Sequence, residues 1–113
     1  MITVQSVLDA VPVSVISGDD FSQLVTGGYV SDLLSNVMGQ ATAGNVWITM
    51  QGHQNVVAVA LLSGLAAIII TGGTKPDTAM ITKAQAEGVV VLSTELSSYE
   101  IAGRMYQLGI TGV

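Results

Sequence analysis

Val56-Val57-Ala58-Val59-Ala60-Leu61-Leu62-Ser63-Gly64-Leu65-Ala66-Ala67-Ile68-Ile69-Ile70 is the most apolar stretch of this chain, and the way it divides decides the fold. As one helix it would reach about 22 Å, short of the roughly 30 Å hydrocarbon core of a bilayer. Its two halves also differ in chemistry. The first stops at Ser63-Gly64, where a helix can end, and the second closes on three β-branched isoleucines, which suit a strand. The reading is therefore helix, turn, strand, and no membrane span is expected. A continuous apolar run fits a strand covered on both faces, which puts residues 67–71 deep in a sheet.

The same alternation extends in both directions. Val4, Val7, Leu8 and Val11 recur at helical spacing up to Pro12, and Val13-Ser14-Val15-Ile16 reads as a strand closed by the turn cluster Ser17-Gly18-Asp19-Asp20. Val30, Leu33, Leu34, Val37, Met38 and Ala41 follow the i, i+3, i+4, i+7 rule and predict an amphipathic helix. Residues 46–50 read as a strand and residues 54–63 as the helix that Gly64 ends. Residues 77–87 predict a helix with Pro76 near its start and Gly88 just past its end. Val89-Val90-Val91-Leu92 is a further strand. Ser97-Ser98-Tyr99-Glu100 is a capping box, stapled by Leu96 and Ile101, for a last helix that stops at Gly109. Successive strand–helix units imply a largely parallel sheet with right-handed crossovers. The expected fold is α/β: a single three-layer α/β/α domain over residues 1–113, without linker or low-complexity segment.

Composition removes several functions. The chain has three Lys and Arg residues against eight Asp and Glu, and a net charge of −5. Lys75, Lys83 and Arg104 cannot neutralise a row of phosphates, so no nucleic-acid binding is expected. The absence of cysteine excludes a disulfide framework, a thiol nucleophile and a thiolate metal site. No Lys or Arg precedes an apolar run at the N-terminus, so no signal peptide is read and a cytoplasmic location is expected.

In open α/β sheets ligands collect beyond the carboxyl ends of the strands. The loops there contain Gln51-Gly52-His53-Gln54, Thr71-Gly72-Gly73-Thr74 and Ser93-Thr94, each leading into a helix N-terminus that favours an anion. Two readings stand side by side: a small-anion site in which the paired glycines bring backbone N–H groups close, or tight turns whose hydroxyls merely cap helices. His53, the only histidine, is either a ligand contact or a structural residue at a helix start. Asp19-Asp20 reads as a solvated turn rather than a chelate. Gly39-Gln40-Ala41-Thr42-Ala43-Gly44 has phosphate-loop glycine spacing but lacks the lysine and hydroxyl, and it lies between a helix and a strand, the wrong order. Gly73-Thr74-Lys75 is followed by Pro76 where a hydroxyl should hold magnesium. No G-x-S-x-G elbow accompanies Ser93, Ser97 and Asp77. No enzyme, metal or cofactor is expected.

The helix over residues 56–62 is apolar on nearly every side. It is either sandwiched within the domain or meets a second subunit, and a homodimer contact through Val56, Val57, Val59 and Ala60 is the expectation. Met38, Met50, Met80 and Met105 are read as packing residues.

The run Gln51-Gly52-His53-Gln54-Asn55-Val56-Val57, then Gly64-Leu65-Ala66-Ala67-Ile68-Ile69-Ile70-Thr71-Gly72-Gly73, resembles the DRTGG domain. Lys75-Pro76-Asp77, Gly88-Val89-Val90-Val91-Leu92-Ser93-Thr94 and Gly28-Tyr29-Val30-Ser31-Asp32-Leu33-Leu34 are similar to that family's pattern as well. The resemblance covers nearly the whole chain. It implies a fold like the N-terminal domain of HPr kinase/phosphorylase, whose phosphate loop lies in another domain. It also implies a regulatory or dimerising accessory role beside CBS domains or metabolic enzymes. His53-Gln54 stands where the namesake motif has Asp-Arg, so an arginine contact to an anion does not carry over, whereas Thr71-Gly72-Gly73 is intact.

Overall fold

The alternation of side chains along two fully buried strands organises the molecule. The computed structural model describes residues 1–112. Along the chain run α1 (Val4–Ala10), β1 (Ser14–Ser17), β2 (Gly27–Val30), α2 (Leu34–Gln40), β3 (Asn45–Thr49), α3 (Gln54–Ser63), β4 (Ala67–Ile70), α4 (Thr78–Glu87), β5 (Val91–Ser93) and α5 (Ser98–Leu108). The five-stranded sheet has the order β1-β5-β4-β3-β2. Strands β2 to β5 are parallel, and β1 closes one edge antiparallel to β5. Every residue of β3 and β4 is buried.

Successive side chains of a strand point to opposite faces, and each face here has its own core. Val46, Ile48, Ala67, Ile69 and Leu92 meet Val4 and Val7 of α1 and Ile101 and Met105 of α5. Trp47, Ile68, Ile70 and Val91 meet Val37 of α2, Val56 and Val57 of α3, and Met80 and Ala84 of α4. The result is the three-layer α/β/α arrangement with a mostly parallel sheet. Helices end where glycine allows it: Gly64, Gly88 and Gly109 have φ of 64°, 69° and 106°, a region that L side chains enter at a cost. Ser97 Oγ accepts the Glu100 amide at 3.2 Å, and the Glu100 carboxylate pairs with Arg104 one turn on. No helix among the described residues is long and apolar enough to cross a membrane.

Three expectations change. Val30 belongs to strand β2, paired with Ile48, and α2 begins only at Leu34. Of the residues that matched a helical stripe, only Val37 is fully buried, while Val30, Leu33 and Met38 are half or more exposed. Hydrogen bonding of residues 27–30 to β3 outweighs the fortuitous spacing. Met80 and Met105 pack in the core as expected, but Met38 and Met50 lie at the surface.

The third change concerns α3. Val56, Val57, Val59 and Ala60 are all buried within the protomer. Helix α3 occupies the middle of its layer, touching α2 on one side and α4 on the other. Its apolar circumference is therefore used up by the sheet and two neighbouring helices, and these four side chains offer no outer surface. Beyond Gln54 and Asn55 in its first turn, what α3 exposes is Leu61 and Leu62.

Trp47 is fully buried and its Nε1 donates to the Ser31 carbonyl at 2.8 Å. Trp47→Ala should cost about 3–5 kcal/mol through the cavity it leaves, read as a lower urea midpoint with an unchanged slope.

Candidate functional site

The path of the chain singles out one edge of the sheet. Helices α2, α3 and α4 pack on one face, and α1 and α5 on the other. The connection after β4 thus leaves towards one face and the connection after β5 towards the other. Such a parting at the carboxyl ends of adjacent parallel strands opens a crevice in doubly wound folds.

Here the crevice is laced shut at its centre. The Gly72 amide donates to the Leu96 carbonyl at 2.7 Å, and the Gly73 amide donates to the Thr94 carbonyl at 3.0 Å. Buried Thr71 exchanges a 2.6 Å hydrogen bond with Ser98 at the start of α5. Of the two readings of these glycines, the turn is the one their amides serve: both are spent joining the two loops. Gly72 and Gly73 hold φ of 70° and 72°, and a β-carbon at Gly73 would collide with the Glu95 carboxylate.

The open space lies to one side of this lacing, between β1 and α4. It is a cleft of about 410 Å³ lined by Ser14, Ile16, Gly73, Thr74, Lys75, Pro76, Ile81, Ser93, Thr94 and Glu95, within the usual range of small-molecule sites. Gly73, Thr74, Ser93 and Thr94 are the expected site residues that line it. Thr71 and Gly72 serve the lacing instead. Sequence reading missed Ser14 and Ile16, which only the antiparallel pairing of β1 with β5 brings here. Lys75 and Glu95 follow directly on the expected loop residues but were not among the expected contacts. Lys75 had a signal, being one of three cations in the chain.

Gln51, Gly52, His53 and Gln54 form a separate polar corner above β3. Asp32 Oδ1 accepts from the Thr49 hydroxyl and the Met50 amide, each at 2.8 Å. Gln51 Nε2 donates to the Asp32 carbonyl at 3.1 Å, and Gln51 Oε1 lies 2.9 Å from His53 Nε2. His53 occupies the N-cap position of α3 without a side-chain capping bond. The corner is tied to the cleft loop through Gly52, whose carbonyl accepts the Asp77 amide at 2.8 Å. Asp20 lies far along the chain in an exposed turn, where Ser22 hydrogen bonds, hydroxyl first and amide second, hold its carboxyl below the ordinary range. No group of three or more potential metal ligands occurs among the described residues.

Fold and cleft together make a small doubly wound α/β module with an open cleft at its carboxyl edge. The DRTGG domain model matches residues 6–108, and the chain belongs to the DRTGG domain family, as a non-catalytic regulatory or accessory domain. No curated protein matches the sequence significantly. Among solved structures, the chain is similar to the CBS and DRTGG domains of the regulatory region of Clostridium perfringens pyrophosphatase, crystallised with the activator diadenosine tetraphosphate. The TM-score is 0.71 at 15% identity, covering 94% of this chain and 46% of that one. The chain therefore spans less than half of that structure, and the likeness is one of fold.

A β-carbon at Gly52 would lie 3.1 Å from the Lys75 carbonyl and from Pro76 Cα, both backbone, whereas one at Gly39 meets nothing within 4 Å. Gly52→Ala should therefore destabilise by about 1–3 kcal/mol. Gly39→Ala, in the exposed helix α2, should stabilise by about 0.5–1 kcal/mol. Chemical denaturation of the two variants side by side checks the opposite signs.

Proposed function

We propose that this domain is a homodimeric regulatory module that takes a small metabolite, anionic or nucleotide-like, in the cleft between β1 and α4. The observation that carries the reading is the cleft itself, at the carboxyl edge where the connections after β4 and β5 part to opposite faces. Lys75 supplies a positive charge there, and the hydroxyls of Ser14, Thr74, Ser93 and Thr94 and the apolar groups Ile16 and Ile81 line the same cleft. Because the β4–α4 loop is hydrogen-bonded to the β5–α5 loop and to Gly52, a ligand at Thr74 and Thr94 would stiffen three loops together, which is how binding could reach a partner. The partner class is a metabolic enzyme or a CBS-type regulatory domain, in keeping with the pyrophosphatase regulatory region whose fold it shares.

A second reading, a protein-docking module with an empty cleft, is favoured by a specific observation: the glycine amides are already used within the fold. Thermal denaturation against nucleoside mono-, di- and polyphosphates, phosphorylated metabolites and amino acids separates the two. At a concentration of 100 times Kd a ligand of the folded state stabilises by about 2.7 kcal/mol, a shift of about 10 °C for a domain this size. No shift with any compound would overturn the sensor reading in favour of docking.

The proposed dimer cannot use the buried face of α3. Its surface is instead the outer side of α2 and α3, where Met38, Leu61 and Leu62 are exposed. No formal charge occurs between Leu33 and Thr74. Two copies of a chain carrying −5 repel less across helices that bear no charge of their own, although Asp20 and Glu87 border Leu61. Sedimentation at micromolar concentration should show a dimer that Leu62→Lys converts to monomer with the fold retained; a wild-type monomer would sink the idea.

A further inference from the structure

The cleft contains one cation and one carboxylate, and its charge balance says more about the ligand than its position does. Lys75 and Glu95 both line it and both are exposed to solvent. They do not pair with each other, the one ion pair among the described residues being Arg104 with Glu100. Glu95 is folded back against the Cα of Gly73, so its carboxylate sits over the loop that carries Lys75. Two opposite charges in one small cleft, each without a protein partner, are complementary to a ligand that carries both signs itself.

The same features disfavour a polyanion. The cleft's own formal charge is zero, and the protein around it is net negative, which repels multiply charged phosphates at a distance. The backbone amides that could hold phosphate oxygens at Gly72 and Gly73 are occupied by the Leu96 and Thr94 carbonyls. What remains is one lysine and a few neutral hydroxyls, a single positive charge against several negative ones. The apolar part of the lining is Ile16, Pro76 and Ile81, and the volume of about 410 Å³ lies near the small end of ligand pockets.

Resting on the reading of this cleft as a ligand site, but replacing the anion or nucleotide of that reading, we infer that its ligand is a compact zwitterion of the α-amino-acid class with an aliphatic side chain. The carboxylate pairs with Lys75 and the ammonium with Glu95, while the side chain lies on Ile16, Pro76 and Ile81. Hydroxyls of Ser93 and Thr94 complete the polar side.

Titration calorimetry of the full chain tests this with L-leucine, L-valine and L-methionine, with N-acetyl-L-leucine and L-leucinamide as single-charge controls, and with AMP and ATP. A zwitterion should bind at least tenfold more tightly than either control and than both nucleotides. Glu95→Gln and Lys75→Met, both at exposed positions, should keep the wild-type melting curve and each weaken amino-acid binding at least tenfold. Three results overturn the inference. Binding of AMP or ATP without binding of any amino acid removes it but leaves the cleft as a ligand site. Amino-acid binding indifferent to both substitutions moves the ligand elsewhere. Silence from every probe here and in the wider metabolite panel removes the inference together with the ligand-binding reading.

Discussion

The burial of β3 and β4 on both faces is the constraint from which the rest of the molecule follows. Two adjacent parallel strands with no exposed residue need a helical layer above and another below. Trp47, Ile68 and Ile70 demand α2, α3 and α4; Ile48 and Ile69 demand α1 and α5. A parallel connection is right-handed, so consecutive helices stay on one face until the chain changes sides after β5. That change of side, required to cover the second face, opens the crevice at the carboxyl edge. The candidate site is thus a by-product of covering a doubly buried sheet with a short chain.

The crevice is then only partly used. Hydrogen bonds from Gly72 and Gly73 to the following loop close its centre, and the space that remains is shifted towards β1. The Thr-Gly-Gly run, whose glycines look made for a ligand's approach, serves here to let one loop approach another. Positive φ at both glycines is what lets the amides turn towards Leu96 and Thr94. The polar corner of Asp32, Gln51 and His53 is likewise a network that satisfies itself, with Asp32 accepting from the end of β3.

The scarcity of charge has a divided cause. Much of the charge-free span between Leu33 and Thr74 is interior: β3, β4 and the inward side of α3. A helix in the middle of a layer loses three sides to its neighbours, which is why α3 lacks a polar stripe without any second subunit being needed. The remainder of the span, with Met38, Leu61 and Leu62 at the surface, is an uncharged exterior that interior packing does not explain.

Residue pattern alone determined the alternation of helices and strands, the central place of residues 67–71, the glycine stops and the Ser97 cap of α5, because these depend on neighbours within a few positions. It also determined the absence of thiol chemistry and phosphate loops. Short-range pattern misjudged Val30, because a strand of four residues containing two glycines is stabilised by its partner β3 rather than by its own preferences. It placed Val56, Val57, Val59 and Ala60 on an outer face, because the number of neighbours around a helix is a property of the assembled layer. It located the loops of the site but not which amides were free or that Ser14 and Ile16 would form a wall beside them. Those were decided by tertiary structure, since hydrogen bonds between loops and the antiparallel edge strand join residues some 20 to 80 positions apart, beyond the reach of helix and strand periodicity.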